Sequence, residues 1–388
     1  METKKLYYEN CHLRFFEGKV LSCRETPKGW EVILDQTAFY PEGGGQACDI
    51  GTLADANVLA VREEGSTVIH LCDAPNAENA VVTGQIDWSR RFDLMQQHTG
   101  EHIVSGIINA MFGYHNVGFH VGSDTTTIDF DGEISPEALT QIEQQANEAV
   151  WKNLPVQCWY PTPEQLPQVR YRTKRELPWP VRIVQVPGYD SCACCGVHVA
   201  YTGEVGFIKL LSCIKFHQGV RIEMVCGQRA LNWMSKVYEQ NRQVSQIFSA
   251  KILETGEAAR RINEALTQEK YRAAGLQKKL FAGMAESYED KGDVLLIEPD
   301  LTPNNLRELA DAIARVCGGT AAVFSGSDEE GYGVCLASRQ GDVKELGQAM
   351  AKALNGRGGG KPGFFQGSVK TTEEAIRAFW SQPGKARC

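Results

Sequence analysis

Two pairs of metal-binding side chains share one spacing in this sequence of 388 residues. His98 and His102 are four residues apart in a segment with helical periodicity, so both imidazoles project from one face and can share a cation. Cys194 and His198 repeat that separation in a glycine-containing turn. Nitrogen and thiolate donors of this kind form a borderline-soft tetrahedral set that suits zinc. The sequence therefore predicts one Zn²⁺ per chain.

The identity of the thiolate ligand is open at this point. Cys192 and Cys195 have C-x-x-C spacing, which also occurs in redox pairs and zinc ribbons, and either could replace Cys194. A ribbon needs a second such pair, which the sequence does not contain, and a redox pair would leave the two histidines unexplained. A reducing cytoplasm accounts for the other ten of the thirteen cysteines, so we expect a cytoplasmic protein.

Residues 98–102 also fit the H-x-x-E-H pattern of inverzincin-type metallopeptidases, in which Glu101 would be the general base. Two features disfavour that interpretation. Gly100 lies in the middle of the predicted helix, and the peptidase needs a carboxylate as its third ligand, whereas this sequence offers a cysteine and a histidine. The peptidase remains an alternative function.

The composition is that of a globular protein. Hydrophobic residues make up 43% of the chain and charged residues 23%. No apolar run approaches the roughly 18 to 20 residues that span a bilayer, and the N-terminal segment lacks the apolar core of a signal peptide. We therefore expect neither a membrane nor secretion. The formal net charge of −8 gives no general attraction for polyanions, so any nucleic acid must bind to local patches.

The pattern of strands and helices around these residues predicts an α+β protein with four regions. Short strands rich in β-branched residues indicate a small β barrel in residues 1–87. Alternating strands and helices in residues 88–230 form the predicted zinc-binding core. A helical arm follows in residues 231–290, where a heptad seam from Phe248 to Leu280 favours a helical hairpin or a homodimer. Residues 291–388 indicate a small α/β domain.

Three separated segments carry a resemblance to a known family. They are TAFYPEGGGQACDIG at 37–51, RFDLMQQHTGEH at 91–102 and CCGVHVAYTGEVG at 194–206. These segments resemble the editing domain of alanyl-tRNA synthetase, and most closely its free-standing relatives, the AlaX alanyl-tRNA editing proteins in their long form. The C-terminal region, with GRGGGKP at 356–362, is similar to the DHH-associated tRNA-binding domain. The resemblance covers nearly the whole chain.

This resemblance implies a trans-editing deacylase. Such an enzyme hydrolyses the ester of tRNA(Ala) mischarged with serine, or alternatively glycine. Nothing upstream of the editing region has room for a class II aminoacylation domain, so we expect no aminoacylation. The family is also described as nucleotide- and ATP-binding. A tRNA-binding protein with a purely structural zinc is the non-enzymatic alternative.

The resemblance also assigns roles to single residues. Catalytic roles fall to Thr37, which would face the aminoacyl group, and to Gln46. The candidates for a general base are Glu101 and His120. Zinc would either take part in the catalysis or position the substrate. The implied zinc ligands are His98, His102, Cys194 and His198. The implied substrate-binding residues are Gly43, Gly44 and Gly45 near the tRNA 3′ end, and Arg357, Gly358, Gly359, Gly360 and Lys361 on the tRNA backbone.

Overall fold

A computed structural model describes residues 2–173 and 179–382 of the chain. These residues divide into two compact units, Met1–Gln243 and Val244–Cys388. Both units combine helices with sheets, so the predicted α+β class is confirmed. No helix among the described residues has the length and apolar character needed to cross a membrane.

The first unit opens with a closed barrel of six strands in the order β2-β3-β7-β6-β5-β8. Alternate side chains of these strands point inwards, as in β8, where Val82 and Ile86 are buried. The elements of this region are β1 (Lys4–Lys5), α1 (Leu6–Glu9), β2 (Phe15–Thr26), β3 (Gly29–Leu34), β4 (Gln36–Thr37), β5 (Gly51–Leu53), β6 (Ala56–Glu64), β7 (Thr67–Cys72) and β8 (Val81–Ile86). The segment between β4 and β5 leaves the barrel and carries the three glycines.

The rest of the first unit packs two long helices against an antiparallel sheet of order β14-β15-β10-β9. A second sheet has the order β11-β12-β13. The elements are α2 (Trp88–Phe112), β9 (Asn116–Val121), β10 (Thr126–Phe130), α3 (Pro136–Trp151), β11 (Gln157–Trp159), β12 (Ile183–Val186), β13 (Asp190–Ala193), β14 (Ile208–Phe216) and β15 (Gly219–Cys226), with 3₁₀ turns at Leu166–Gln168 and Thr202–Val205.

Capping residues fix the ends of α2 and α3. Asp87 caps α2 by accepting from the backbone N–H of Arg90. Ser135 caps α3 by accepting from the backbone N–H of Ala138. Gly100, in the middle of α2, has a packing reason, because a Cβ at this position would lie 2.3 Å from Cys226 Sγ on β15. The glycine therefore lets the metal-binding helix approach the sheet closely.

A fully buried ion pair joins α2 to the barrel. Arg91 on α2 donates from Nε to both carboxylate oxygens of Asp49, and its Nη2 donates to the carbonyl of Ala38. Both charged side chains are completely excluded from solvent. Breaking such a pair leaves an uncompensated buried charge, so this contact holds the glycine segment of the barrel next to α2.

The predicted helical arm consists of two helices. They are α4 (Gly227–Ile247) and α5 (Thr255–Glu286), with a 3₁₀ turn at Ile252–Glu254 between them. The heptad side chains Ile262, Leu266, Leu276 and Leu280 are exposed on α5. The boundary between the two compact units falls within α4.

The second unit ends in a five-stranded sheet of order β16-β17-β18-β20-β19. Its elements are β16 (Gly292–Ile297), α6 (Pro303–Ala314), β17 (Gly318–Ser327), β18 (Gly331–Ser338), α7 (Lys344–Ala353), β19 (Gly356–Lys361), β20 (Phe364–Val369) and α8 (Glu373–Trp380). The glycine-rich segment forms the edge strand β19, which its sequence does not predict because glycine disfavours strands. Residues 383–388 of the predicted C-terminal domain lie outside the described residues.

Candidate metal centre and adjoining cavity

The four predicted metal ligands lie together in the first unit. His98 and His102 are one turn apart on α2, and Cys194 and His198 follow β13. One donor atom from each of the four lies within 4.8 Å of the others. Cys194 Sγ is 3.4 Å from Nε2 of His98 and 3.5 Å from Nε2 of His198. The cluster therefore presents three imidazole nitrogens and one sulfur to a common point.

Each histidine of this cluster is held from behind through Nδ1. Gln46 Oε1 lies 2.8 Å from Nδ1 of His98, and Asp190 Oδ2 lies 2.9 Å from Nδ1 of His102. The hydroxyl oxygen of Thr99 lies 3.2 Å from Nδ1 of His198. These contacts leave all three Nε2 atoms for the cluster, which is the arrangement found where histidines bind metal. The donor set fits zinc.

The cluster also favours the thiolate form of its cysteine. Burial raises the pKa of the Cys194 thiol, but the charges and hydrogen bonds of the neighbouring histidines outweigh this effect and hold that pKa well below its usual value. Burial, followed by the charges of the other two histidines, lowers the pKa of His198 well below its usual value. A thiolate and a neutral imidazole are the forms that bind a metal ion.

The two rival cysteines do not belong to this group. Cys192 lies near Asp190 and His102, on the Nδ1 side of that histidine, and burial raises the pKa of the Cys192 thiol to about 11. Cys195 is exposed. Neither cysteine shares the common point of the three Nε2 atoms, where the structure places Cys194.

The three glycines form a tight turn that reaches the metal cluster. Gly43 and Gln46 exchange two backbone hydrogen bonds of 3.1 and 3.0 Å. Gly44 and Gly45 have φ values of 59° and 82°, and a Cβ on Gly45 would lie 2.5 Å from the Phe119 ring. Only glycine combines this backbone conformation with such a close approach. The turn delivers Gln46 to His98, and the Nε2 donor of Gln46 is buried without a hydrogen-bond partner among the described residues.

Thr37 lies on β4 and packs against the barrel strand β7, and it is not among the residues that line the cavity described below. Its side chain is fully buried, its Oγ1 lies 2.8 Å from Nε2 of His70, and it accepts from the backbone N–H of Phe39. Nδ1 of His70 lies 3.0 Å from the Val32 carbonyl. Burial lowers the pKa of His70 to about 4, so the ring is neutral near pH 7 and Nε2 accepts the Thr37 hydroxyl proton.

A cavity of about 660 Å³ opens beside the metal cluster. Gly44 and Gly45 line it together with ligands of the cluster and Glu101, whereas His120 is exposed outside it. The sequence did not mark the other polar and aromatic lining residues, because no motif distinguishes them. They include Lys5, Tyr8, Asn116, Tyr160, Arg172 and Arg182.

The glycine-rich C-terminal segment lies in the second unit. Arg357, Gly358, Gly359, Gly360 and Lys361 belong to the edge strand β19, and most of this strand is exposed. Arg357 also lines a second cavity of about 410 Å³, together with Tyr332, Asn355 and Lys370. The strand therefore offers exposed backbone and basic side chains on one edge of the sheet.

Known proteins resemble this chain over nearly its whole length. The alanyl-tRNA editing protein Aarsd1 of Rattus norvegicus is 30% identical over 96% of this chain and 95% of its own, and that of Mus musculus is 29% identical over the same shares. This chain belongs to the alanyl-tRNA editing protein family. The predicted relationship to AlaX-type editing proteins is thus confirmed. The alanine–tRNA ligase of Thermococcus kodakarensis is 31% identical over 97% of this chain and 43% of its own.

Family models match three parts of this editing protein. The DHHA1 domain matches residues 290–382, the threonyl and alanyl tRNA synthetase second additional domain matches 181–223, and tRNA synthetases class II (A) match 2–90. The C-Ala domain from Aquifex aeolicus alanyl-tRNA synthetase matches 23% of this chain and 91% of its own at 24% identity, with a TM-score of 0.21. That score is too low to define a shared fold.

Proposed function

We propose that this protein is a zinc-dependent trans-editing deacylase that hydrolyses the ester of Ser-tRNA(Ala), with Gly-tRNA(Ala) as the alternative substrate. The observation that carries the proposal is the cluster of three histidines and Cys194 beside a cavity that the glycine turn also lines. When bound, zinc would polarise an oxygen of the ester or lower the pKa of a water molecule. A cytoplasmic location belongs to the proposal, because the described cysteines are free thiols.

Gln46 is the proposed catalytic residue of this chain. Its Oε1 is hydrogen-bonded to His98 Nδ1. Its Nε2 donor is buried and has no hydrogen-bond partner among the described residues. A buried donor without a partner is destabilising, and a hydrogen bond to an acceptor on the substrate would offset that cost. We assign Gln46 Nε2 to the carbonyl oxygen of the ester, where negative charge develops during hydrolysis. This role requires the turn to expose Nε2 to the cavity that Gly44 and Gly45 line.

Thr37 enters the proposal as a residue that positions this turn. Its hydroxyl proton is committed to His70, and its oxygen holds the backbone of Phe39 at the start of the segment that leads to the glycines. The glycines themselves, Gly43, Gly44 and Gly45, would allow the tRNA 3′ end to approach the backbone closely.

The second unit would bind the tRNA backbone. Arg357 and Lys361 on β19 are exposed and can meet phosphates, and the intervening Gly358, Gly359 and Gly360 leave the backbone accessible. The exposed heptad side chains of α5 are compatible with a homodimer, which remains a proposal.

Two alternative functions predict different behaviour. The H-x-x-E-H peptidase needs a carboxylate as its third ligand, but the structure supplies Cys194 and His198 at the common point. A tRNA-binding protein with a structural zinc would bind tRNA without hydrolysing any ester.

Deacylation assays with the purified protein test the proposal directly. Release of serine from Ser-tRNA(Ala) should exceed the release in buffer and the release of alanine from Ala-tRNA(Ala), and Gly-tRNA(Ala) tests the alternative substrate. Seryl ester loss no faster than in buffer would contradict the enzyme assignment and support the binding protein. Cleavage of a peptide substrate that Glu101→Gln abolishes would support the peptidase.

A further inference from the structure

Glu101 is a buried carboxylate next to the metal cluster but outside it. The side chain is 4% exposed and lines the cavity. Its Oε2 lies 3.9 Å from Nε2 of His102, yet Glu101 is not one of the four residues whose donor atoms converge. A buried carboxylate is costly unless it is paired, so the absence of Glu101 from the cluster leaves its charge to be explained.

One oxygen of this carboxylate is fixed by the protein. Oε1 accepts hydrogen bonds from the hydroxyl of Ser105 and from Asn116 Nδ2, the latter at 2.6 Å. Asn116 Nδ2 also donates to Ser105 Oγ at 3.1 Å, so the three side chains form a closed network. For Oε2, by contrast, the structure of residues 2–173 and 179–382 shows no hydrogen bond.

Asn116 adds a second acceptor to this wall of the cavity. It lines the cavity, it is 7% exposed, and its Oδ1 is buried without a hydrogen-bond partner in the described part of the chain. Asn116 Oδ1 is thus a buried acceptor without a donor beside the hydrogen-bond network of Glu101.

The lysine and arginine side chains of the cavity have their close partners elsewhere, although the charge of Glu101 is among those that raise the pKa of Arg172. Arg172 pairs with both oxygens of Asp190, at 2.7 and 2.9 Å. Arg182 donates to the carbonyls of Cys194 and Gly196, at 2.9 and 2.8 Å. The remaining lining lysine, Lys5, pairs with Glu63. Glu101 thus forms no ion pair with lysine or arginine among the described residues, and its charge faces the cavity.

We propose that Glu101 Oε2, positioned by Ser105 and Asn116, binds the α-ammonium group of the aminoacyl ester. This inference rests on the proposed deacylase function and names the part of the substrate that the function requires. In an aminoacyl ester the ammonium nitrogen is about 2.5 Å from the carbonyl carbon, across two covalent bonds. An ammonium group bound at Oε2 therefore brings the ester carbonyl beside His102 and the metal cluster.

The subsite gives the enzyme a selectivity that the zinc ligands do not. An ester with a free ammonium group gains a charge-assisted hydrogen bond, whereas an N-acylated ester or a hydroxy-acid ester leaves the buried carboxylate unpaired. A general base at Glu101 would behave differently, because it would accept a proton from water for every ester alike. The amino group of the substrate therefore distinguishes the two roles.

The test compares Ser-tRNA(Ala) with the glyceric acid ester of the same tRNA, in which a hydroxyl replaces the amino group and the seryl side chain is kept. We expect wild-type kcat/KM to be about tenfold to a hundredfold higher for the seryl ester, as for hydrogen bonds between charged groups. Glu101→Gln should reduce this preference to less than about threefold, chiefly by slowing the seryl ester. Glu63→Gln removes a different carboxylate from the same cavity and should keep the preference. Zinc content is measured for each variant.

A second variant and a binding measurement make the test independent of turnover and of any damage at His102. Asn116→Ala removes a positioning contact away from the zinc ligands and should also weaken the preference. In calorimetry, a 3′-seryl-amido analogue of adenosine should bind the wild-type protein more tightly than its counterpart without the amino group. Equal slowing of both esters by Glu101→Gln, or equal binding of the two analogues, would overturn the subsite. A wild-type protein that prefers the amino analogue but hydrolyses neither ester would contradict the deacylase function and support the subsite.

Discussion

Gln46 Oε1 lies 2.8 Å from Nδ1 of His98 and so joins the glycine turn of the barrel segment to the first histidine of the metal cluster. The contact fixes the imidazole with Nε2 towards Cys194. It also fixes the amide itself, since the same side chain keeps its Nε2 buried without a partner in the described residues. One side chain therefore links metal binding to the proposed chemistry.

Replacing Gln46 should affect both properties. Gln46→Leu removes the contact behind His98, and we expect zinc affinity to fall by about tenfold to a hundredfold, as when such supporting contacts are lost elsewhere. Competition with a chromophoric chelator measures the affinity. Gln36→Leu, on the neighbouring strand β4, is the control and should retain wild-type affinity. Unchanged affinity in Gln46→Leu would show that the hydrogen bond does not support the metal site.

The choice of thiolate ligand can be tested with three matched variants. Cys194→Ala removes the sulfur at the common point of the histidines, so zinc per chain should fall well below the wild-type value. Cys192→Ala and Cys195→Ala should retain the metal, because neither sulfur lies at that point. Elemental analysis after dialysis gives the zinc content. Wild-type zinc content in Cys194→Ala, together with loss of zinc in Cys192→Ala or Cys195→Ala, would show that the other cysteine is the ligand.

The basic residues of β19 should contribute to tRNA binding without affecting the chemistry. In Arg357→Gln/Lys361→Gln we expect KM for Ser-tRNA(Ala) to rise and kcat to stay within about twofold, since phosphate contacts position the substrate uniformly. The dependence of log KM on log salt should also become shallower by about one to two units.

A second double variant serves as the control for that charge change. Arg315→Gln/Arg377→Gln removes the same charge from α6 and α8, where both arginines already pair with acidic residues. This control should retain the wild-type salt dependence. A loss of kcat with unchanged KM in the β19 variant would contradict the proposed role of the edge strand.

His70 should make the barrel sensitive to acid. Its pKa is lowered by burial from 6.5 to about 4, so between these pH values the unfolded chain binds a proton that the folded chain does not. The free energy of unfolding should therefore fall as pH falls through this window, by about 3 kcal/mol in total. Urea denaturation at several pH values measures this.

The matched variants for this prediction are His70→Gln and His120→Gln. His70→Gln cannot titrate and should show a smaller loss of stability between pH 6.5 and pH 4. His120 is exposed, so His120→Gln should follow the wild-type curve. Identical curves for wild type and His70→Gln would show that the buried histidine does not control acid stability.

Much of the fold was predictable because local patterns determine it. The caps at Asp87 and Ser135 satisfy the free N–H groups of a helix start within a few residues of sequence. The edge strand β19 was not predictable, because its glycines have low strand propensity and are held by pairing with β20. The position of the break between α4 and α5 was not predicted, because the heptad pattern runs on through it.

The sequence by itself indicated the histidines of the metal cluster and a cysteine beside them, because the helical period places His98 and His102 on one face and a cysteine–histidine pair repeats that spacing. Only the tertiary structure decided which cysteine joins them and what holds the histidines. Their Nδ1 partners Gln46, Asp190 and Thr99 lie 52, 88 and 99 residues away along the chain. Contacts over such separations depend on how the barrel, α2 and the β13 loop pack together, and no local pattern encodes them. For the same reason the unpaired carboxylate of Glu101 becomes visible only in the folded protein.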